Sequence, residues 1–407
     1  MTAPASRLIE RLADRLAEPI PPPADEPWGA QSLAEGAAGI ALLHIERARH
    51  GMAPWTSAHR WIMQAASGEV SAADTTGLFL GAPAVAFLLS TAPPSVDHLY
   101  AGARATLHGH ITSLAHRRTE AALERMNHGG RATFAEYDVF YGLTGIGAYL
   151  LRTDPGSTAL ERVLGCLVAL TRPLQRGDRG LPGWWVGHGP NREHSADFPG
   201  GHGNLGVAHG ITGPLLLMSR ALRSGISTTG QPDAIRTICD HLDTWQQHGE
   251  AGPWWPEHLT LRDLATGRPH QPGPARPSWC YGTTGIARAG QLAGIALKDT
   301  ALQAVYEDAL HRALTDPAQL AQVIDNGLCH GWAGIYQTVV RAAADAADLR
   351  LHKLIAPLEK ALTSDIEPDD GQSPGLLNGH AGSALALTTL VTRQTPISGW
   401  DSCLLID

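Results

Sequence analysis

The stretch Gly331-Trp-Ala-Gly334-Ile-Tyr-Gln-Thr-Val-Val340 has two glycines three residues apart, and an apolar run follows the second glycine directly. The same pattern recurs along the chain in seven copies. Their first glycines are Gly36, Gly81, Gly142, Gly210, Gly282, Gly331 and Gly379. In the second copy, Ala84 replaces the second glycine. A single GxxG sequence is usually a packing feature, whereas seven in order, each before an apolar run, indicate a structural repeat.

The spacing of the copies predicts the unit that repeats. Successive first glycines lie 45, 61, 68, 72, 49 and 48 residues apart, and about 45 residues accommodate one helical hairpin with its loops. We therefore predict an all-α fold, an α/α toroid (double α-barrel) of seven helical hairpins with GxxG turns. The first glycine of each turn can adopt a positive φ, and the second allows a close approach of backbone. In such a ring the turns crowd around one end, where neighbouring polar residues converge.

The composition is that of a folded protein with a sizeable core. Of 407 residues, 43% are hydrophobic and 17% are charged, with a formal net charge of −8. These values exclude disorder for most of the chain and argue against binding nucleic acid by phosphate neutralisation. Five scattered cysteines do not form a secreted disulfide framework, and no apolar stretch suits a membrane span. We expect a cytoplasmic protein with one domain over residues 1–407, in which residues 1–28 form an N-terminal helix and a proline-rich lead-in.

Two copies carry side chains that bind metals. Cys280 precedes the fifth turn, and Cys329 and His330 precede the sixth. The two cysteines are 49 residues apart, too far for a local metal motif, but the repeat places them at the same depth of neighbouring turns. Two thiolates and an imidazole suit Zn²⁺, and three protein ligands leave a fourth position open, as in catalytic sites. The alternative is that the cysteines are buried and free, which is common.

Three further residues near the glycines are candidates for acid–base chemistry. His209 and Tyr281 directly precede the first glycine of their turns, as His330 does. An imidazole titrates near neutral pH, so His209 is either a general acid or base or a hydrogen-bonded core histidine. Tyr281 either donates a hydrogen bond into the same space or packs under the turn. Asp138 is either a solvated cap or a group that orients a histidine across the cavity.

The chain resembles the lanthionine synthetase C-like family, the lantibiotic cyclases. The resemblance covers about residues 30–405 and rests on the seven repeats, on Asn204-Leu-Gly-Val-Ala-His-Gly210, and on the Trp-Cys-Tyr-Gly and Cys-His-Gly motifs in that order. It implies an α/α toroid with one Zn²⁺ per chain, held by Cys280, Cys329 and His330. It further implies an active site lined by His209, Asp138, Tyr281 and Arg276.

By the same resemblance, the protein is a stand-alone zinc-dependent cyclase. It would add cysteine thiolates of a precursor peptide, with leader and core, to dehydroalanine or dehydrobutyrine, giving lanthionine or methyllanthionine rings. A separate dehydratase would prepare this substrate, and an exporter could join the complex. Neither a nucleic-acid partner nor an integral membrane part is expected. Some family members carry a small β-rich insertion, which no segment of this sequence predicts.

Three other functions remain open at this point. A prenyltransferase-like α/α barrel also activates a thiol on zinc, but with one carboxylate, one cysteine and one histidine, so the second cysteine argues against it. A polysaccharide hydrolase needs paired carboxylates, and only Asp138 lies beside a repeat glycine. A non-catalytic zinc-containing scaffold that binds peptide or glutathione would not need His209 as an acid. The pairs Trp184-Trp185 and Trp254-Trp255 either line a peptide groove or pack in loops.

Overall fold

The computed structural model describes residues 2–23, 25–174, 180–364 and 372–407, and most of these are helical, as predicted. In chain order the helices are α1 (Thr2–Arg15), α2 (Ala37–Arg49), α3 (Trp55–Ala65), α4 (Ala82–Ser90), α5 (Asp97–Asn127), α6 (Phe134–Tyr137), α7 (Leu143–Thr153), α8 (Thr158–Leu170), α9 (Thr212–Arg223), α10 (Gln231–Trp245), α11 (Leu261–Thr266), α12 (Thr283–Leu297), α13 (Thr300–Ala313), α14 (Pro317–Leu320), α15 (Trp332–Asp345), α16 (Arg350–Ser364) and α17 (His380–Thr392). Short 3₁₀ helices lie at Pro27–Gln31, Pro94–Val96 and Trp400–Leu404. The strands are β1 (Gly203–Asn204), β2 (Gln247–Gly249), β3 (Gly252–Trp254) and β4 (His258–Leu259). None of the helices in these ranges has both the length and the apolar character of a membrane span.

The helices form two concentric layers. Seven inner helices, each beginning at a repeat turn, contact one another around a closed ring in the order α2, α4, α7, α9, α12, α15, α17 and back to α2. Outer helices α3, α5, α8, α10, α13 and α16 each cover the inner helix that precedes them. The inner helices are buried along most of their length, so each needs neighbours on both sides. This arrangement is the predicted α/α toroid.

The seventh pair of helices is formed differently from the other six. Within the described ranges no α-helix follows α17 in the chain, and α1 is its outer partner instead. Leu8, Leu12 and Leu16, on and just after α1, recur every four residues and are buried. The apolar stripe of α1 therefore covers α17. The N-terminal helix is an outer element of the toroid and joins the two ends of the repeat array.

Backbone hydrogen bonds tie the turns together at one end of the ring. In six of the seven repeats, the residue two positions before the first glycine takes part in these hydrogen bonds between turns. These residues are Ala34, Phe79, Ala208, Cys280, Cys329 and Leu377. The Cys280 N–H, for example, donates to Cys329 O at 3.1 Å, and the Cys329 N–H donates to Leu377 O at 2.9 Å. Residues at matching repeat positions consequently lie side by side around the ring axis.

Crowding explains most of the repeat glycines. Among the seven first glycines, only Gly81 and Gly282 have a positive φ. At Gly331, φ is −105°, but a Cβ would lie 2.4 Å from a carbonyl oxygen of its own turn. A Cβ on Gly334 would lie only 1.9 Å from Leu328 O. A positive φ is thus used at two of the seven first glycines, and a Cβ on any of the other five would lie too close to backbone atoms.

The C-terminal segment fills the ring from the end opposite the turns. Nearly all of residues 398–407 are buried. Arg152, in the last turn of α7, donates to Ser398 O at 2.7 Å. Further in, the Trp279 indole donates to Leu404 O at 2.9 Å. Residues 398–407 therefore support the fifth turn from inside the ring.

The long gaps on either side of the fourth repeat contain short strands. β1 pairs with β4 and β2 pairs with β3, both in antiparallel orientation. These strands were not predicted from the sequence, because strands of two or three residues are too short to show an alternating pattern. The paired tryptophans of these gaps are at most 6% exposed, which agrees with loop packing and not with a peptide groove. They are Trp184, Trp185, Trp254 and Trp255.

Candidate metal and catalytic site

The fifth and sixth turns bring three metal-binding side chains together. The Sγ atoms of Cys280 and Cys329 and a ring nitrogen of His330 all lie within 4.8 Å of one another. Cys280 is buried, whereas Cys329 and His330 are partly exposed. Among the described residues no other group of three His, Cys, Asp or Glu side chains meets this distance. The repeat thus assembles a cluster that local spacing does not reveal.

Hydrogen bonds within the cluster make its two thiols unequal. The Cys329 thiol and the His330 imidazole hold the pKa of Cys280 well below its usual value, although Cys280 is buried. The adjacent Cys280 sulfur, together with burial, raises the pKa of Cys329 well above its usual value. Cys280 also raises the pKa of His330. The cluster therefore favours a thiolate at Cys280 with a donor on either side.

This donor set fits a zinc ion. Two sulfurs and one imidazole nitrogen are the borderline-soft ligands that Zn²⁺ takes in proteins. A bound cation would also allow both sulfurs to be deprotonated at the same time, because it replaces their protons. The partial exposure of Cys329 and His330 leaves one side of the cluster accessible. Three protein ligands with an accessible side match a catalytic site more closely than a closed structural one.

Asp138 holds His209 next to this cluster. Asp138 Oδ2 lies 2.6 Å from His209 Nδ1, and Asp138 Oδ1 accepts hydrogen bonds from two backbone N–H groups of its own turn. Asp138 is fully buried, and burial raises its pKa while His209 opposes the shift. With Nδ1 directed at the carboxylate, Nε2 is the ring nitrogen left for a substrate. The Ala208 N–H donates to Cys280 O, which places His209 beside the metal cluster.

Aromatic rings enclose His209. Phe134 stacks on the imidazole with ring centroids 5.2 Å apart, and the Phe140 centroid lies 4.9 Å away. Tyr141 lies parallel to the imidazole at 6.0 Å, and the Arg192 guanidinium covers the Tyr141 ring at 4.4 Å. The side chain of His209 is nevertheless 24% exposed. The rings therefore limit its rotation while leaving one edge open.

Tyr281 is fixed through its hydroxyl. Asn204 Nδ2 donates to the Tyr281 hydroxyl oxygen at 2.9 Å, and Asn204 Oδ1 accepts from the Gly206 N–H at 2.9 Å. Asn204 is fully buried, whereas Tyr281 is partly exposed. The phenol thus lies at the edge of the site, one residue from Cys280, with a buried amide behind it.

Arg276 is linked to the cluster through Asp325. Arg276 Nη1 lies 3.7 Å from Asp325 Oδ2, and that oxygen lies 3.4 Å from His330 Nε2. Asp325 Oδ1 accepts from the Gly327 N–H at 2.8 Å, so the carboxylate is anchored to its own turn. A carboxylate beside a metal-binding imidazole orients the ring and raises its basicity. Asp325 is placed to do this for His330.

The predicted residues fall into two groups on neighbouring turns. Asp138 and His209 form one group, and Arg276 joins the metal cluster through Asp325, with Tyr281 between the two. Asn204 and Asp325 were not predicted from the sequence, although a signal for both exists. Repeats four, six and seven share a polar residue and a glycine two positions later, and in each the side-chain oxygen accepts from that glycine N–H. The three motifs are Asn204-Leu-Gly206, Asp325-Asn-Gly327 and Ser373-Pro-Gly375.

The fold and the cluster together define a class, an α/α toroid with a candidate metal site at the end where its inner helices begin. A sequence model of the lanthionine synthetase C-like protein family matches residues 27–405. The chain therefore belongs to the lanthionine synthetase C-like family.

Known proteins similar to this chain include a biosynthesis protein and a cyclase of solved structure. Nisin biosynthesis protein NisC of Lactococcus lactis subsp. lactis is 24% identical over 206 residues, which are 50% of this chain and 48% of that protein. The chain thus spans about half the length of this curated relative. A solved structure of nisin cyclase has a TM-score of 0.79 and 20% sequence identity, and the match covers 99% of this chain and 96% of that one. This likeness establishes the fold.

Proposed function

We propose that this protein is a zinc-dependent lanthipeptide cyclase. It joins cysteine thiols of a dehydrated precursor peptide to dehydroalanine or dehydrobutyrine, forming lanthionine and methyllanthionine rings. The observation that carries the proposal is the cluster of Cys280, Cys329 and His330 with the Asp138–His209 pair on the adjoining turn. Family membership and the similarity to a nisin biosynthesis protein support a peptide substrate.

The metal cluster provides the place where the peptide thiol is activated. Cys280, Cys329 and His330 would hold the ion. A zinc ion held there would lower the pKa of a substrate thiol and so make its thiolate available for reaction. Cys329 and His330 are partly exposed, which leaves room for a peptide cysteine to approach.

The remaining residues handle the proton and the developing charge. The substrate sulfur bonds to Cβ of the dehydro residue, the double-bond electrons move onto the carbonyl oxygen, and Cα then takes a proton. His209 Nε2 takes up the proton that the thiol loses and delivers it to Cα, while Asp138 keeps the Nδ1–H in place and stabilises the protonated ring. Tyr281 and Arg276 donate hydrogen bonds to the carbonyl oxygen as it becomes negative. Overall, S–H adds across C=C, and no atom is gained or lost.

The proposal extends to partners and compartment. The serines and threonines of the precursor would be dehydrated by a separate dehydratase, and an exporter would take up the cyclised product. The five cysteines are free in the structure, which suits the reducing cytoplasm. The 407 residues would act as one cyclase domain.

A synthetic peptide with one dehydroalanine and one cysteine tests the function. Ring closure does not change the peptide mass, so the measurement is alkylation of the remaining thiol, read by mass spectrometry. We expect protein with about one zinc per chain to remove the thiol faster than buffer with free zinc does. A zinc-loaded protein that binds the peptide but leaves its thiol free would exclude a cyclase and indicate a non-catalytic scaffold.

A further inference from the structure

The buried amide behind Tyr281 has a defined orientation. Asn204 Oδ1 accepts from the Gly206 N–H at 2.9 Å, which identifies the oxygen side of the amide. Nδ2 must then face Tyr281, and it donates to the hydroxyl oxygen at 2.9 Å. Asn204 is 0% exposed, so solvent does not compete for either bond. The hydrogen bond therefore runs from Asn204 to Tyr281 and not the other way.

The direction of this bond determines what Tyr281 can do. A phenol oxygen that accepts from an amide keeps its own O–H for another acceptor. In the part of the chain that the structure describes, no group accepts from Tyr281; the His258 ring is near, with centroids 5.4 Å apart, but His258 Nε2 has no hydrogen-bond partner. Tyr281 is also partly exposed at the site. Its hydroxyl proton is thus available to a substrate.

The same turn also fixes the ring of Tyr281. A Cβ on Gly206 would lie 2.6 Å from two carbons of the Tyr281 ring, so the ring lies directly against this glycine. Gly206 therefore contacts the ring while its N–H anchors Asn204. Ring and hydroxyl are positioned by one short segment, residues 204–206.

Comparison with the other repeats shows what the amide adds. Asp325 and Ser373 occupy the position of Asn204 in repeats six and seven, and each accepts from a glycine N–H in the same way. A carboxylate has no proton to donate to a phenol, and a serine side chain is too short to span the same distance. Only an amide of this size both accepts from Gly206 and donates to Tyr281.

We propose that Asn204 is a positioning residue for cyclisation, whose amide keeps Tyr281 a hydrogen-bond donor toward the carbonyl oxygen of the dehydroamino acid. This inference rests on the proposed function. A donor already aimed at an oxygen that becomes negative stabilises the transition state without reorganising during the reaction. Asn204 acts through Tyr281 and does not itself reach the substrate.

The test is Asn204→Asp, alone and combined with Tyr281→Phe, in the peptide cyclisation assay at about pH 8, where the introduced carboxylate is ionised. The substitution keeps the acceptor for Gly206 but turns the Tyr281 O–H toward itself and away from the substrate. We expect kcat to fall about 10- to 100-fold, while KM and zinc content stay within about twofold. In the Tyr281→Phe protein the same substitution should change kcat by less than about twofold, because the hydroxyl it controls is gone.

Two further variants keep the test decisive. Asn204→Ser reproduces the side chain found in repeat seven and is expected to fold, with kcat lowered about three- to tenfold. Asn378→Asp adds a carboxylate on the rim of the seventh turn, and kcat should equal that of the wild type. An Asn378→Asp effect as large as that of Asn204→Asp, or equal losses with and without the Tyr281 hydroxyl, would overturn the proposal. Wild-type protein that fails to cyclise the peptide overturns the proposed function as well, whereas an active wild type with unimpaired Asn204 variants overturns only the role of Asn204.

Discussion

The sixth and seventh turns have matching backbones but different chemistry. Cys329 and His330 in the sixth turn correspond to Leu377 and Asn378 in the seventh. The Cys329 N–H donates to Leu377 O, and the Leu377 N–H donates in turn to Ala34 O. The backbone thus fixes equivalent positions around the ring, and only the side chains make one turn a candidate metal site. Each candidate residue of the sixth turn therefore has a natural control in the seventh.

Removing a cysteine from the sixth turn should have the largest effect. Cys329→Ala deletes one of two sulfur donors, so we expect loss of bound zinc and a cyclisation rate below about a hundredth of wild type. Leu377→Ala at the matching position should cost about 2–5 kcal/mol of stability through a core cavity but leave the zinc bound. Metal analysis of the purified proteins and thiol alkylation of the peptide measure both effects. Loss of zinc from Leu377→Ala would show that the two turns are not functionally distinct.

The next largest effect concerns Asp138 and His209. Asp138→Asn keeps the shape of the side chain but no longer stabilises a protonated imidazole or holds its Nδ1–H, so kcat should fall about a hundredfold. Zinc content should be unchanged, since Asp138 is not in the metal cluster. Glu35→Gln removes an exposed carboxylate from the first turn and should alter kcat less than about twofold. Single-turnover rates of cyclisation measure the effect. An Asp138→Asn rate within about threefold of the wild-type rate would exclude the Asp138–His209 pair from the mechanism.

A smaller effect is expected where the polar residues of the two turns differ. Asp325→Asn should weaken zinc binding about 10- to 100-fold, because the carboxylate beside His330 Nε2 is lost. Ser373→Ala removes the matching acceptor in the seventh turn and should leave the zinc affinity unchanged. Competition with a chromophoric chelator measures the affinities without relying on activity. Equal weakening in both variants would mean that turn stability, and not the contact with the imidazole, controls the metal.

The sequence predicted the ring because each repeat can be recognised from residues that lie close together in the chain. Each GxxG turn and the apolar run behind it lie within about 15 residues, so a single segment carries the whole signal. The outer partner of α17, in contrast, could not be predicted from the sequence. The spacing of Leu8, Leu12 and Leu16 shows that α1 covers an apolar surface, but it does not show which one. That information lies in packing between segments more than 360 residues apart, and amphipathicity alone does not contain it.

The candidate site was predictable only where repeat position alone identifies its residues. Cys280, Cys329 and His330 follow from repeat position, because matching positions must come together in a closed ring. Asn204 and Asp325 were missed because a side chain that accepts from an N–H two residues on looks like an ordinary turn residue. Their second partners, Tyr281 and His330, become visible only when the turns are placed side by side.

The fourth and sixth turns also differ in a buried histidine, which gives the smallest expected effect. His202 lies two residues before Asn204, and Val323 occupies the matching position in repeat six. Burial lowers the pKa of His202 from 6.5 to about 4, and its Nδ1–H donates to His188 O at 2.8 Å. The unfolded chain therefore takes up a proton at higher pH than the folded one. Neutral His202 contributes stability that is complete above about pH 6.5 and is lost as the pH falls toward 4.

The expected size of this loss is about 2 kcal/mol between about pH 7 and pH 5. His202→Gln, whose amide can still donate to His188 O, should lose about 2 kcal/mol less than wild type over that interval. His352→Gln, which changes an exposed histidine on the outer helix of repeat six, should follow the wild type. Urea unfolding of the three proteins at both pH values measures the free energies. If all three lost the same amount, the acid sensitivity would belong to the ring as a whole, and the fourth turn would carry no special proton linkage.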